Sequence, residues 1–234
     1  GGYYYSTNAV SSRYNGNSPT YSDSRIGFRA MLYVKEFEEY VKETGFSIYL
    51  CRGYDPQTKG RVEKAVDSIF KAKGRANDNP LIVHLSNKEE IQKYAYISNE
   101  IEQKLIDEFM PGPFTIILKK KENIPNNVSA NLNTVGIRIP ENKIANTILK
   151  YNNLPIAAPS ANVSGKPSGT NINDIIEEFN NKVDYIIDGD NTDIGLESTV
   201  VKVIDNIPTI LRPGYITKED IINTIGVVKI DDHI

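Results

Sequence analysis

From residue 62 onward the apolar positions follow two alternating periods. Val62, Ala65, Val66, Ile69 and Phe70 recur at helical spacing, the stripe of an amphipathic helix. Gly74 follows where a left-handed cap closes a last turn. The run Leu81-Ile82-Val83-His84-Leu85 is short and apolar and predicts a buried strand. Two helical patterns come next, over roughly 88–97 and 100–109, and Pro111-Gly112-Pro113 ends the second. Segments 114–119 and 134–139 predict strands separated by a polar loop. Residues 142–151 predict a helix and 155–160 a strand running into a loop. Asn173 is a candidate cap for a helix reaching about Phe179, and a strand is predicted at 184–188. Segments 198–204 and 208–212 pair as a hairpin with Asn206 near the turn, and Thr217 opens a short final helix.

These elements alternate without a strict strand–helix–strand cadence. The fold class they predict is α/β, a twisted mixed sheet with packed helices. Three regions follow from the same pattern. Residues 1–35 are rich in Tyr, Gly, Ser and Asn and have no helical period; they read as short strands and turns. Residues 36–61 form an atypical connector, with a short apolar run at 45–50 and breaks at Gly53, Pro56 and Gly60. Residues 62–230 form the main domain.

Composition narrows the class. A chain of 234 residues, 39% hydrophobic and 24% charged, has room for one α/β domain with a small appendage. A net charge of −3 argues against a surface coated for nucleic acid, so any RNA contact needs a local patch. Cys51 is the single cysteine, which excludes an intrachain disulfide and points to a reducing cytoplasm. No apolar run approaches the roughly 20 residues of a membrane span, and no signal-peptide pattern opens the chain.

Four stretches carry candidate chemistry. Lys73-Gly74-Arg75, followed by Asn79, sets two cations beside a helix end, where they suit phosphate oxygens. Cations and Gly are also what a last helical turn uses to cap itself. Pro159-Ser160-Ala161-Asn162, continuing through Ser164 and Thr170, leaves a buried strand as a polar loop, the usual position of a ligand in α/β proteins. Ser, Asn and Gly are equally ordinary loop residues. Gly195-Leu196-Glu197-Ser198-Thr199 places hydroxyls at a strand start, and Arg212-Pro213-Gly214 places an arginine before a forced turn. Gly165-Lys166-Pro167 lacks the spacing of a phosphate-binding P-loop. His84, His233 and Cys51 are too few for an ordinary zinc site, and no nucleophile–base order is apparent.

In order along the chain, KGRANDNPLIVHL, PGPFTIILK, TVGIRIP, PIAAPSANVSGKPSGT, GLESTVV and ILRPG resemble the YrdC-like threonylcarbamoyl-AMP synthases. The resemblance implies a sheet with a concave, basic face and a nucleotidyltransferase. The implied reaction forms L-threonylcarbamoyl-AMP and pyrophosphate from L-threonine, bicarbonate and ATP with Mg2+. A downstream complex then transfers the threonylcarbamoyl group to adenosine 37 of tRNA, so tRNA is an indirect partner. Matching motifs imply ATP contacts at Lys73, Arg75, Asn79, Thr134, Asn162, Thr170 and Arg212, with charge stabilisation by Lys73 and Arg75. They imply threonine contacts at His84, Arg138, Ser160 and Ser198, and no dedicated metal site.

The chain departs from this family at its start. The family's opening strand reads close to PTETVYGLG and helps wall the threonine pocket; residues 49–58 (YLCRGYDPQT) do not match it, Tyr54 alone lying at the corresponding distance. Residues 1–34 (GGYYYS, Arg13-Tyr14 and RIGFRAMLYV) instead resemble the end of a formylglycine-generating-enzyme-like domain. The alternative function is a non-catalytic ATP- or RNA-binding module, or an impaired fusion remnant with an incomplete threonine pocket.

Overall fold

The computed structural model describes residues 30–31, 66–67, 69–71, 73–74, 79–152, 154–165, 172–180, 182, 185–186 and 197–232. The formylglycine-enzyme resemblance, the connector, Tyr54, Arg75, Thr170 and most of the 1–61 region lie outside them. Among the described residues ten strands and several helices occur. The strands are β1 (Ala30–Met31), β2 (Ile82–His84), β3 (Ala95–Tyr96), β4 (Phe114–Lys120), β5 (Thr134–Arg138), β6 (Ile156–Ala158), β7 (Tyr185–Ile186), β8 (Thr199–Ile204), β9 (Ile207–Arg212) and β10 (Lys229–Ile230). The helices are α1 (Ile91–Tyr94), α2 (Glu100–Phe109), α3 (Lys143–Asn152), α4 (Ile172–Phe179) and α5 (Lys218–Ile225). Residues 66–67, 69–71 and 73 are also helical, with Val66 and Phe70 buried and Gly74 at φ +60°.

One sheet holds the order β10-β9-β8-β4-β5-β2-β6, with β3 paired to β4. β4 runs parallel to β8 and antiparallel to β5, while β2 is parallel to β5 and antiparallel to β6. The sheet is therefore mixed, as the irregular cadence predicts. β1 and β7 pair separately in parallel.

Strand alternation and register sort the side chains into two faces. Val83, Ile116, Leu118, Val135, Ile137, Val201 and Ile210 share one face, and all are buried in a single cluster with Leu105 and Ile106 of α2 and Ile221 of α5. Each such side chain contributes about 1.5–3 kcal/mol on burial. The other face carries His84, Thr115, Ile117, Thr134, Gly136, Arg138, Val200 and Arg212. Its mixture of apolar, hydroxyl and cationic groups is what a ligand surface needs and a core does not.

Local chemistry explains the boundaries. Asn99 accepts from the Glu102 amide and starts α2. Thr217 and Asp220 form a reciprocal capping box at the start of α5, and Gly226 ends it at φ +92°. Asp205 and Asn206 take φ +50° and +60° in the β8–β9 turn, the pair of left-handed residues that a tight hairpin demands.

Two expectations change. The helix expected over 88–97 is a single 3-10 turn, Lys88–Glu90, followed by α1, and it stops at Tyr94. Ala95 and Tyr96 turn extended because β4 offers Lys119 and Lys120 as ladder partners, and Ala95 is wholly buried by the exchange. Asn173 is not a cap: α4 already begins at Ile172, so Asn173 lies inside its first turn.

Candidate active site

Register draws one row of residues across the second face. Arg212 pairs with Val200, Val200 with Thr115, and His84 with both Arg138 and Ile156. Because Ile116 pairs with Ile137 in the antiparallel β4–β5 ladder, the next step sets Thr115 beside Arg138. The row therefore reads Arg212, Val200, Thr115, Arg138, His84 over β9, β8, β4, β5 and β2. Three of the residues expected from motifs thus meet at one end of five neighbouring strands, although they come from distant points in the chain.

Arg212 is held as a fork. Its Nη2 donates to the Ser198 carbonyl at 2.8 Å and to Ser198 Oγ at 3.0 Å, and its Nη1 meets Glu197 Oε2 at 2.5 Å. Ser198 Oγ also lies 2.9 Å from Thr115 Oγ1, and both residues are buried. Arg138 donates from Nε to the Gly112 carbonyl at 3.3 Å. Burial lowers the Arg138 pKa from its usual range, the charge of Arg212 adds to the shift, and Glu197 opposes it. Two guanidinium groups thus feel each other across the row, with Glu197 as the carboxylate that offsets them.

His84 Nδ1 stands 3.3 Å from the Ile156 carbonyl. A carbonyl only accepts, so Nδ1 carries the proton and Nε2 is left as an acceptor. Burial, and then the charge of Arg138, push the His84 pKa from 6.5 down to about 4. An unfolded imidazole gains its proton near pH 6.5, whereas the folded one resists until about 4. The stability contributed by the neutral ring is therefore complete above that window and lost as pH falls through it. A shift of this size corresponds to a loss of about 2 kcal/mol between pH 7 and about pH 4.5. We expect His84→Gln, which keeps a donor for Ile156, to flatten denaturant-derived stability between pH 7 and about pH 4.5 by that amount. A profile identical to the parent's would contradict the assignment.

The second group of expected residues gathers around Lys73. Its buried ammonium donates to the carbonyls of Ser160 and Asn162 and lies 3.5 Å from Asn162 Oδ1. Ser160 Oγ donates to Asn162 Oδ1, and the Ser164 amide bonds back to the Lys73 carbonyl at 3.1 Å. From α4, Glu178 accepts the Val163 amide at 2.9 Å. Lys73 therefore fastens the loop after β6 to the end of the first described helix. That loop leaves the sheet at the opposite end from the arginine row, because β6 runs antiparallel to β2. Thr134 opens β5 at this same end, and the exposed Asn79 lies just ahead of β2.

Each cluster joins a residue expected at ATP to one expected at threonine: Arg212 with Ser198, and Asn162 with Ser160. Between the clusters lies Gly136, where an added Cβ would sit 3.3 Å from both Ile117 Cδ1 and Thr115 Cγ2. Three contributors were not assigned from the sequence: Thr115 and Gly136, which read as ordinary strand positions, and Gly214. A Cβ on Gly214 would lie 2.3 Å from the Glu197 carbonyl oxygen and 2.5 Å from the Thr199 nitrogen. Only the three-dimensional contact exposes that requirement.

The arrangement defines an α/β domain with one apolar sheet face in the core and a second face that carries His84, Arg138 and Arg212. Residues 53–214 match the family model Sua5/YciO/YrdC, described as "Telomere recombination". The chain belongs to that family. It is 44% identical over 168 residues to the threonylcarbamoyl-AMP synthase of Pyrococcus abyssi, covering 72% of this chain and 49% of that protein. It is 43% identical to the Bacillus subtilis enzyme of the same name, again covering 49% of it. The crystal structure of Pyrococcus abyssi Sua5 complexed with L-threonine superposes with a TM-score of 0.70 at 43% identity, over 73% of this chain and 50% of that one. The chain spans about half the length of these relatives. Among the described residues no helix is long and apolar enough to cross a membrane.

Proposed function

We propose that the domain forms L-threonylcarbamoyl-AMP and pyrophosphate from L-threonine, bicarbonate and ATP, in the cytoplasm, in support of tRNA modification. The observation that carries this reading is the row itself, where Arg138, His84 and Arg212 align on one sheet face and Arg212 is paired with Ser198 and Glu197. Such a face gains from an anion, and the substrates supply a carboxylate, a carbamate and a triphosphate. The similarity to an enzyme solved with L-threonine supports the amino acid as one of them.

The chemistry needs alignment and charge neutralisation rather than a covalent nucleophile. The threonine amine, freed of its proton, combines with bicarbonate to give the carbamate and water. A carbamate oxygen then forms a bond to the α-phosphorus as the bridging oxygen to the β-phosphate departs with pyrophosphate. Mg2+ enters with ATP, bound mainly by phosphate oxygens and water. Arg138 pairs with the threonine carboxylate, and His84 Nε2 accepts from a threonine donor. The hydrogen-bonded pair Arg212–Ser198 marks the junction where carbamate meets phosphate. Lys73, Ser160 and Asn162, with Thr134 and Asn79, form the other end of the face, and Arg75 and Thr170 complete the nucleotide contacts. From Thr134 to Arg138 the strand covers about 13 Å at 3.3 Å per residue, a length suited to a two-part ligand such as an acyl adenylate.

The test is pyrophosphate release from ATP and bicarbonate with and without L-threonine. Threonine-dependent release is expected. Release that ignores threonine would refute the threonine-dependent reaction, and ATP binding with no turnover would favour the non-catalytic module.

A further inference from the structure

The hydroxyl of Thr115 carries information that its motif position does not. Thr115 is wholly buried on β4, in the middle of the row, beside Arg138 in one direction and Val200 and Arg212 in the other. Among the described residues its one side-chain hydrogen-bond partner is Ser198 Oγ, 2.9 Å away. A hydroxyl has one proton to give and can accept twice. If Ser198 donated to Thr115, the Thr115 proton would be buried without an acceptor, a loss of about 1–3 kcal/mol. The reverse, with Thr115 donating, moves the orphaned proton to Ser198: one shared hydrogen bond leaves one of the two hydroxyl protons for an acceptor outside the described residues.

Arg212 reaches the same hydroxyl from the other side. Its Nη2 can only donate, and it reaches Ser198 Oγ at 3.0 Å. With Thr115 as the donor, Ser198 Oγ accepts from Thr115 and from Arg212, and both of its lone pairs are used. Its own O–H is left to point along the remaining tetrahedral direction, away from both donors. Among the described residues no acceptor takes that proton.

We propose that Thr115 is a positioning residue: by donating to Ser198 it fixes Ser198 as a donor to an anionic oxygen of the amino-acid substrate, and it does so jointly with Arg212. Thr115 makes no contact with substrate in this account. Its methyl packs where a Cβ on Gly136 would be 3.3 Å away, so the shape and the hydroxyl of the side chain have separable roles. The inference rests on the threonine-dependent reaction proposed above.

The separation supplies the test. Thr115→Val keeps the shape and removes the donor, while Thr115→Ser keeps the donor and removes the methyl. L-threonine affinity is measured by calorimetry on the full chain, with KM and kcat from pyrophosphate release and a thermal transition for each variant. Thr115→Val is expected to weaken L-threonine binding about tenfold, the equivalent of one neutral hydrogen bond, and to raise KM for threonine with little change in KM for ATP. Thr115→Ser is expected to restore both. In a double-mutant cycle with Ser198→Ala, the Thr115→Val loss should largely disappear, since the relay is already cut. Unchanged threonine affinity in a folded Thr115→Val chain overturns the proposal. So does Thr115→Ser failing as badly as Thr115→Val, or additive losses in the cycle. Should Thr115→Val lack a cooperative transition, Thr115→Ser decides alone: impaired threonine binding in a folded chain overturns the proposal, and parental binding supports it. A parent chain that binds no L-threonine overturns instead the reading on which the proposal rests.

Discussion

Gly214→Ala is expected to lower the thermal midpoint by roughly 6–12 °C and to reduce threonine-dependent turnover by about a hundredfold. The reason is a contact with nowhere to yield. The added methyl would lie 2.3 Å from the Glu197 oxygen, 2.5 Å from the Thr199 nitrogen and 2.7 Å from the Ser198 carbonyl carbon. All three are backbone atoms, so no side-chain rotation relieves the overlap. Overpacking of this kind costs about 1–3 kcal/mol or more, and about 3 kcal/mol in a chain of this size gives the stated shift. Relief requires residues 197–199 to move off the Pro213-Gly214 turn. That turn is tied down by the Tyr215 amide bonding to Glu197 at 3.2 Å and by Thr199 Oγ1 bonding to the Ile216 carbonyl at 2.7 Å. The displaced segment carries Ser198 and Glu197, the partners of Arg212. A shift of about 1 Å in such groups is enough for a hundredfold loss of rate. Circular dichroism melts and pyrophosphate release on the same preparation check both halves. A variant with the parental midpoint and rate would show that the turn is not packed as described.

Much of the fold could be read from local rules because those rules had no rival. The β8–β9 hairpin follows from two apolar runs with Asn206 near the turn, and α5 from Thr217 at its start. The buried face follows from alternation in β4, β5 and β8. The errors arose where tertiary pairing outweighed local preference. Ala95 and Tyr96 continue a helical pattern, yet the edge of β4 offers a ladder that draws them into β3. Asn173 is a good capping residue one position too late. The site shows the same division. Arg212 and Ser198 stood out as polar residues in strand-end stretches, while Arg138 and His84 were named only through the family resemblance. Their alignment in one row was not legible, because register between β2, β5, β4, β8 and β9 depends on which strands become neighbours. Thr115 is hidden for a simpler reason: a threonine in an apolar strand reads as β-propensity, and only the buried proton inventory gives it a role.

The row also separates charge from geometry at Arg212, and Arg212→Lys tests that separation. Lysine keeps the positive charge beside Arg138 but offers one nitrogen in place of a planar fork. Arg212 engages Ser198 and Glu197 together, through Nε and Nη2 on the Ser198 carbonyl, Nη2 on Ser198 Oγ and Nη1 on Glu197. A single ammonium cannot hold these partners in the same plane. If Arg212 served only as a local cation, Arg212→Lys would retain most of the activity and show a similar dependence on salt. If the fork organises the junction between threonine and nucleotide, substitution should lower kcat/KM by about a hundredfold, roughly 2.7 kcal/mol of transition-state stabilisation. Much of the fall should appear in kcat, since groups that align a carbamate oxygen with phosphorus act mainly at the transition state. Stability should fall less, by about 1–2 kcal/mol, because Ser198 and Glu197 lose a half-exposed partner and solvent can replace part of it. A kcat/KM within threefold of the parent would reduce Arg212 to a diffuse charge. It would also remove Ser198 from the reacting centre, leaving Arg138 and His84 to hold the amino acid from one side of the row.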